Sequence, residues 1–231
     1  MSATADYDEG YYQGNDQSGD RIALRFYARV AARLAPNGAS ALDFGCGTGH
    51  FSRRLARRFR SIAYDPSRYA RECTARVSPR SRVVADLEEI PAGSVDLACS
   101  LHVLEHVPEP ITALRSLARA VRPGGRLLYV VPNPQGLGHR IRKQDWFAYR
   151  DPTHCSVLAR DEWLLLTAEA GFRVEGVAGD GLWDPPYVPR VPRFLQLAVF
   201  GLPAAAQVAL GRAVLPRDSG ECIVVTARRE P

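Results

Sequence analysis

The sequence predicts an α/β fold, a doubly wound, mostly parallel sheet with helices on both faces. Three observations carry this. Between residues 41 and 131 short apolar runs alternate with amphipathic stretches, the pattern of strand-helix-strand units. The run LLYVV at 127–131 is apolar without a break, as suits a strand buried on both sides. The first run, ALDF at 41–44, leads directly into GCGTG at 45–49, a glycine turn between a strand and a helix.

Each element follows in order. Residues 1–20 lack periodicity, but Tyr7, Tyr11 and Tyr12 interrupt the polar tract, and Tyr11 and Tyr12 suggest a lid that orders over a bound cofactor. Ile22, Phe26, Val30 and Leu34 recur at four-residue spacing and predict a helix over 21–34, stopped by Pro36-Asn37-Gly38. Strand 41–44, helix 51–59, strand 61–64, helix 67–77, strand 82–85 and strand 95–100 come next. A helix over 110–121 closes at Arg122-Pro123-Gly124-Gly125, and 126–131 is the fifth strand. The stretch EWLLLTAEA predicts a helix ending at Gly171, FRVEGVAG a sixth strand and 223–227 the last. The implied organisation is a lid and helix over 1–40, a binding core over 41–180, an apolar insertion over 181–219 as a substrate cap, and a final core strand over 220–231.

Composition narrows the function. The net charge of +5 comes almost wholly from arginine, since Lys143 is the one lysine. The arginines are interleaved with acids and read as solvated helix faces, and no nucleic-acid recognition module is present, so a nucleic-acid partner is not expected. Five unpaired-looking cysteines and a polar, acidic N-terminus fit reduced thiols in a cytoplasmic protein.

The glycine turn departs from a dinucleotide fingerprint. That motif needs glycine at position 50, where His50 stands, and the third glycine, Gly49, comes one residue early. Asp43, inside the strand before Gly45 and Gly47, would repel a phosphate and welcome an ammonium group. Asp65 lies at the distance from the turn expected of an acid that holds ribose hydroxyls, with Pro66 after it. Asp86-Leu87 offers a carboxylate and an apolar face for a base. Together these residues describe a phosphate-free adenosine carrying a cationic tail.

In its segments LDFGCGTG (42–49), AYDPS (63–67), ADLEEIP (85–91), SVDLACSLHVLEHVPEP (94–110) and VRPGGRLLYVVPNP (121–134), the chain resembles the class I S-adenosylmethionine-dependent methyltransferases. The likeness is greatest to quinone-pathway and natural-product tailoring enzymes. The resemblance implies a Rossmann-like sheet of seven strands whose antiparallel last strand inserts beside the fifth. It implies S-adenosyl-L-methionine as cofactor. Gly45, Cys46 and Gly47 would line its methionine moiety, Asp65 its ribose, Asp86 and Leu87 its adenine, with Ser100 beside the sulfonium, and Tyr12 of the lid tract would lie over it.

Such a site methylates an O, N or C atom of a small, aromatic or apolar acceptor, held about 3 Å from the methyl carbon with water excluded. A hydroxyl acceptor needs a base, and histidine is the natural one. His154, in the DPTH loop, is the leading candidate, followed by His102 and then His106; His50 and His139 read as surface residues. Trp146, Phe147 and Tyr149 are candidates to stack on a planar acceptor. No His or Cys pair has metal-ligand spacing along the chain, so no metal is expected. The alternatives are a nicotinamide-dependent oxidoreductase and a non-catalytic cofactor-binding or scaffold protein.

Residues 194–215 approach the length of a membrane span, but Gln196, Gln207, Arg212 and Pro203 argue against one. A hairpin of two short helices broken at Pro203 is the simplest reading. It leaves three roles open: a wall of the acceptor pocket, a homodimer face, or contact with a membrane surface.

Overall fold

The computed structural model describes residues 7–14, 19–183 and 185–231. Seven strands form one sheet: β1 (Ser40–Phe44), β2 (Arg60–Tyr64), β3 (Arg82–Val84), β4 (Val95–Leu101), β5 (Val121–Pro132), β6 (Phe172–Gly179) and β7 (Cys222–Arg229). Their order is β3-β2-β1-β4-β5-β7-β6, parallel except that β7 runs antiparallel between β5 and β6. The expected doubly wound sheet is therefore present, with the reversed strand beside the fifth. The reversal of strand order at β1 and β4 opens a crevice at their carboxyl ends, where such sheets bind ligands.

The helices are α1 (Glu9–Gly14), α2 (Ile22–Leu34), α3 (His50–Leu55), α4 (Arg68–Val77), α5 (Pro110–Ala120), α6 (Leu137–Arg142), α7 (Phe147–Arg150), α8 (Arg160–Glu169) and α9 (Arg193–Leu210). Local chemistry sets their ends. The Ser67 hydroxyl accepts from the Ala70 amide at 3.2 Å and caps α4. Pro110 opens α5, where its missing N–H costs nothing.

Each sheet face buries its own core. Leu42, Ala98, Leu114, Leu127, Tyr129 and Trp163 belong to one cluster; Phe26, Tyr27, Ala41, Leu55, Leu97 and Leu128 belong to the other. Consecutive strand residues alternate between the two, as the pleat requires. Each fully buried Leu or Phe contributes about 2 kcal/mol by leaving water.

Two segments differ from expectation. Sheet pairing of β5 starts at Val121, opposite Val95, and passes through Pro123-Gly124 with a register shift, so the strand begins before residue 126. Residues 193–210 form one continuous helix with Pro203 inside it, and not a hairpin. Proline removes one backbone donor but leaves the chain beyond it free to continue the helix. α9 packs on α2, and among the described residues none of 181–219 lines the main cavity.

Candidate active site

A cavity of about 610 Å³ lies at the carboxyl ends of β1, β2 and β4, within the size range of small-molecule sites. Asp43, Gly45, Cys46, Gly47, Asp65 and Pro66 all line it. The glycines shape the turn. Gly45 has φ +75°, and a Cβ there would collide with the Val103 side chain. Gly49 has φ +84°, and a Cβ would stand 2.7 Å from the Thr74 Cα. Gly49 thus lets α4 pack under the turn and is not itself in the lining.

The turn's amides are already engaged. The Gly45 and Cys46 N–H groups donate to the Tyr64 carbonyl at 2.8 and 2.9 Å. The Gly47 N–H donates to Asp65 Oδ2 at 2.9 Å, while the Ser67 N–H serves Oδ1 at the same distance. A pyrophosphate would therefore meet two buried carboxylates instead of a nest of unused donors. Asp43, whose carboxylate accepts from the Ser52 hydroxyl, is pushed up to about 7. Burial is the main cause, the Asp65 charge adds to it, and Ser52 opposes it. Burial also raises Asp65, against the amides of Gly47 and Ser67 and the charge of Arg71. Each Asp65 oxygen keeps a second lone pair for a ligand hydroxyl. This electrostatic setting suits a cationic, phosphate-free nucleoside.

The N-terminal segment covers the cavity. Tyr7, Tyr11 and Tyr12 line it; Tyr12 is buried, with its ring stacked on Tyr69 at 5.9 Å. The Ser67 hydroxyl donates to the Tyr7 carbonyl at 2.6 Å, and the Tyr11 hydroxyl reaches Asp151 Oδ2 at 3.4 Å. Residues 1–6 and 15–18 of the expected lid lie outside the described residues.

The histidines fall in a different order from the sequence ranking. His102 and His106 line the cavity; His154 does not. His102 sits just beyond β4 with φ +55°, a conformation that non-glycine residues keep mainly at constrained functional positions. Its Nδ1 is 3.5 Å from Glu105 Oε1. His106 Nδ1 is 2.8 Å from the Thr153 hydroxyl, which itself donates to Asp151 Oδ1. Because Thr153 spends its proton on Asp151, it accepts from His106 Nδ1–H, leaving the Nε2 lone pair available as a base. Burial lowers the His106 pKa most, assisted by His154 and His102 and opposed by Glu105 and Asp151. Asp151 is raised by burial but held below the usual carboxylate range by both Thr153 hydrogen bonds and by His154 and His106. His154 stands behind His106, its ring 4.5 Å away and its Nδ1–H given to the Ala148 carbonyl at 2.7 Å. His154 therefore packs behind His106, outside the cavity lining.

Ligand atoms of Glu105, His106 and His154 lie within 4.8 Å of one another. Glu105 is fully buried, and among the described residues neither of its carboxylate oxygens has a hydrogen-bond partner. One carboxylate and two imidazoles can hold a divalent cation. Spacing along the chain gives no such group; the fold joins residues 105–106 to 154.

Other expected site residues stand elsewhere. Asp86 is exposed and caps a short 3₁₀ turn by accepting from the Glu88 N–H, and Leu87 packs on the core; neither lines the cavity. Ser100 is fully buried at the end of β4, outside the lining, with no hydrogen-bond partner for its Oγ among the described residues. Trp146 is fully buried against His139, Phe147 and Tyr149, so it offers no face to an acceptor. Tyr149 is half exposed, away from the cavity, with its hydroxyl 3.3 Å from His139 Nε2. Arg21, Leu24, Tyr64, Val103 and Val107 line the cavity without having been singled out, because nothing in their local pattern separates them from core or surface.

Comparison with known proteins agrees with this geometry. A family model described as "Methyltransferase domain" matches residues 16–177. The ubiquinone biosynthesis O-methyltransferase of Xanthomonas axonopodis pv. citri (strain 306) is 39% identical over 176 residues, covering 68% of this chain and 71% of that protein. An S-adenosylmethionine-dependent methyltransferase from Archaeoglobus fulgidus shares the fold with a TM-score of 0.67 at 18% identity, covering 95% of this chain and 99% of that one. So does the putative methyltransferase complexed with the Trm112 activator of Haloferax volcanii, at a TM-score of 0.69 and 16% identity, covering 97% of each chain. The chain belongs to the class I S-adenosylmethionine-dependent methyltransferases, enzymes that draw their methyl group from that cofactor.

Proposed function

We propose that this enzyme methylates a hydroxyl oxygen of a small, apolar aromatic acceptor in the cytoplasm, with His106 as the base. The observation that carries the reading is the Asp151–Thr153–His106 relay at the cavity wall. The named function of the Xanthomonas relative, an O-methyltransferase of ubiquinone biosynthesis, supports a phenolic acceptor.

The bound cofactor supplies an electrophilic methyl group on a sulfonium, so the protein need not generate one. In our reading Asp43 and Asp65 orient the cofactor through its ammonium and ribose ends, beside the backbone of Gly45–Gly47. His106 Nε2 takes the acceptor's proton as the oxygen attacks. The imidazolium so formed is stabilised by Asp151 through Thr153 and by Glu105. Tyr7, Tyr11 and Tyr12 close the cavity and exclude water. His102, at the end of β4, positions the acceptor ring.

The test is incubation with cofactor and a panel of catechols and polyprenyl phenols, followed by mass spectrometry for products heavier by one methyl. Methylation of a phenol, lost in His106→Ala with cofactor binding kept, is the expected outcome. Methylation of amines alone would overturn the reading. The panel is run with and without a chelator. Turnover that needs a divalent cation would reassign Glu105, His106 and His154 from a base with its support to a metal site.

A further inference from the structure

The helix α9 is inside out. On an ordinary surface helix apolar residues face the core and polar ones face water. Here Gln196, Ala204 and Gln207 are the buried residues, while Phe194 is 70% exposed, Leu202 68%, Val199 65% and Leu210 55%. No charged residue occurs from 194 to 211. Arginines stand at both ends, Arg190 and Arg193 at its start and Arg212 and Arg217 after it, and between Asp184 and Asp218 the chain has no Asp or Glu.

The inward glutamines act as clamps. Gln196 Oε1 accepts from the Tyr187 and Val188 amides, and its Nε2 donates to the Val188 and Val191 carbonyls at 2.9 and 2.7 Å. Gln207 Nε2 donates to the Gly179 and Asp180 carbonyls at 3.2 and 3.0 Å, and its Oε1 accepts from the Val214 and Leu215 amides. Arg33 donates to the Leu210 and Gly211 carbonyls, and Arg29 to that of Val208. By length and composition α9 could cross a bilayer, with a mean hydropathy of 1.4. Gln196 ties its start to the 187–191 lead-in, and Gln207, Arg29 and Arg33 fasten its C-terminal end to β6 and α2, so it lies along the domain surface and does not span.

We propose that the outer face of α9 docks in the plane of an anionic lipid surface. Its apolar side chains enter the acyl boundary and the flanking arginines meet acidic headgroups. Charge selects this occupant. A two-fold contact with a second copy would face the arginine-flanked patch with its own like charges, without an acid in the segment to offset them. The helix also connects to the cavity, since α2 holds α9 through Arg29 and Arg33 while its N-terminal Leu24 lines the cavity. Docking would thus bring the enzyme to where an apolar acceptor concentrates.

The test is co-sedimentation of the whole protein with vesicles of equal parts phosphatidylglycerol and phosphatidylcholine, and with phosphatidylcholine alone. Binding to the anionic vesicles at least tenfold tighter is expected. The double variant Val199→Ser/Leu202→Ser should lose at least tenfold of that binding. Arg190→Gln/Arg193→Gln/Arg212→Gln should lose the preference for anionic lipid. S-adenosylhomocysteine affinity, unchanged in both, shows that the variants are folded. Failure of the wild type to bind anionic vesicles would overturn the proposal. So would concentration-dependent dimerisation abolished by the serine variant, which would assign the face to a second copy.

Discussion

Asp43→Asn separates the electrostatic role of this residue from its structural one. The amide can keep the Ser52 hydroxyl as a donor and fits the same buried space, so packing is preserved. The charge is lost and one acceptor oxygen becomes a buried NH2 donor. In the folded protein the carboxyl titrates at about 7 against an ordinary 3.8, a difference of about 3 units or about 4 kcal/mol as an upper bound. The sign follows from linkage. The folded pKa is raised, so the native state pays no penalty below pH 4, a growing one as pH rises towards 7, and the full one above. The ligand-free variant should therefore be more stable than the wild type at pH 8, by up to about 10 °C in Tm. Cofactor binding should move the opposite way. A cationic ligand that favours ionised Asp43 loses about 10- to 100-fold in affinity when that charge goes, the range of a hydrogen bond to a charged group. In the wild type, affinity for S-adenosylhomocysteine should also rise between pH 5.5 and 7, by up to about tenfold per unit, as the proton on Asp43 is displaced. Isothermal titration across that range, with thermal melts of both proteins, reads all three effects. A variant that binds as tightly as the wild type with the same pH profile would refute the reasoning.

Further outcomes follow from other parts of the site. Gly45→Ala forces a Cβ into Val103 at φ +75° and should lower Tm by at least about 5 °C, measured by calorimetry. His106→Ala should cut turnover by at least about 100-fold while cofactor affinity stays within twofold, and wild-type turnover should fall on the acid side only below the ordinary histidine value, since burial lowers this imidazole. Tyr12→Ala removes a buried ring beside Gly47 and should weaken cofactor binding about tenfold by opening the cavity to water; unchanged affinity would count against the lid. Trp146→Phe should cost stability without altering the KM for an acceptor, since the indole is enclosed by its own neighbours.

Local chemistry made much of the fold legible. The glycine turn, the acid inside β1 and the uninterrupted apolar β5 each state their environment within a few residues. Asp65 at the end of β2 was legible for the same reason. What escaped depends on contacts between distant segments. His106 and His154 are 48 positions apart, and nothing local tells that Thr153 and Asp151 close a relay on the first while Ala148 ties up the second. Trp146 reads equally as a stacking platform or a core residue until its neighbours are known. Helix α9 is the clearest case: composition identifies an apolar segment with two glutamines, but only the fold shows that the glutamines point inward and the leucines out.

In the proposed reading the glycine turn and its two buried carboxylates form a seat for a cationic adenosine without phosphates. A crystal structure of the protein with S-adenosylhomocysteine, set against titration with NADH, measures this most directly. The adenosyl group is expected in the cavity, its ribose on Asp65 and its ammonium towards Asp43, with no binding of NADH. A pyrophosphate seated on the Gly45–Gly49 turn, or S-adenosylhomocysteine bound elsewhere, would contradict it.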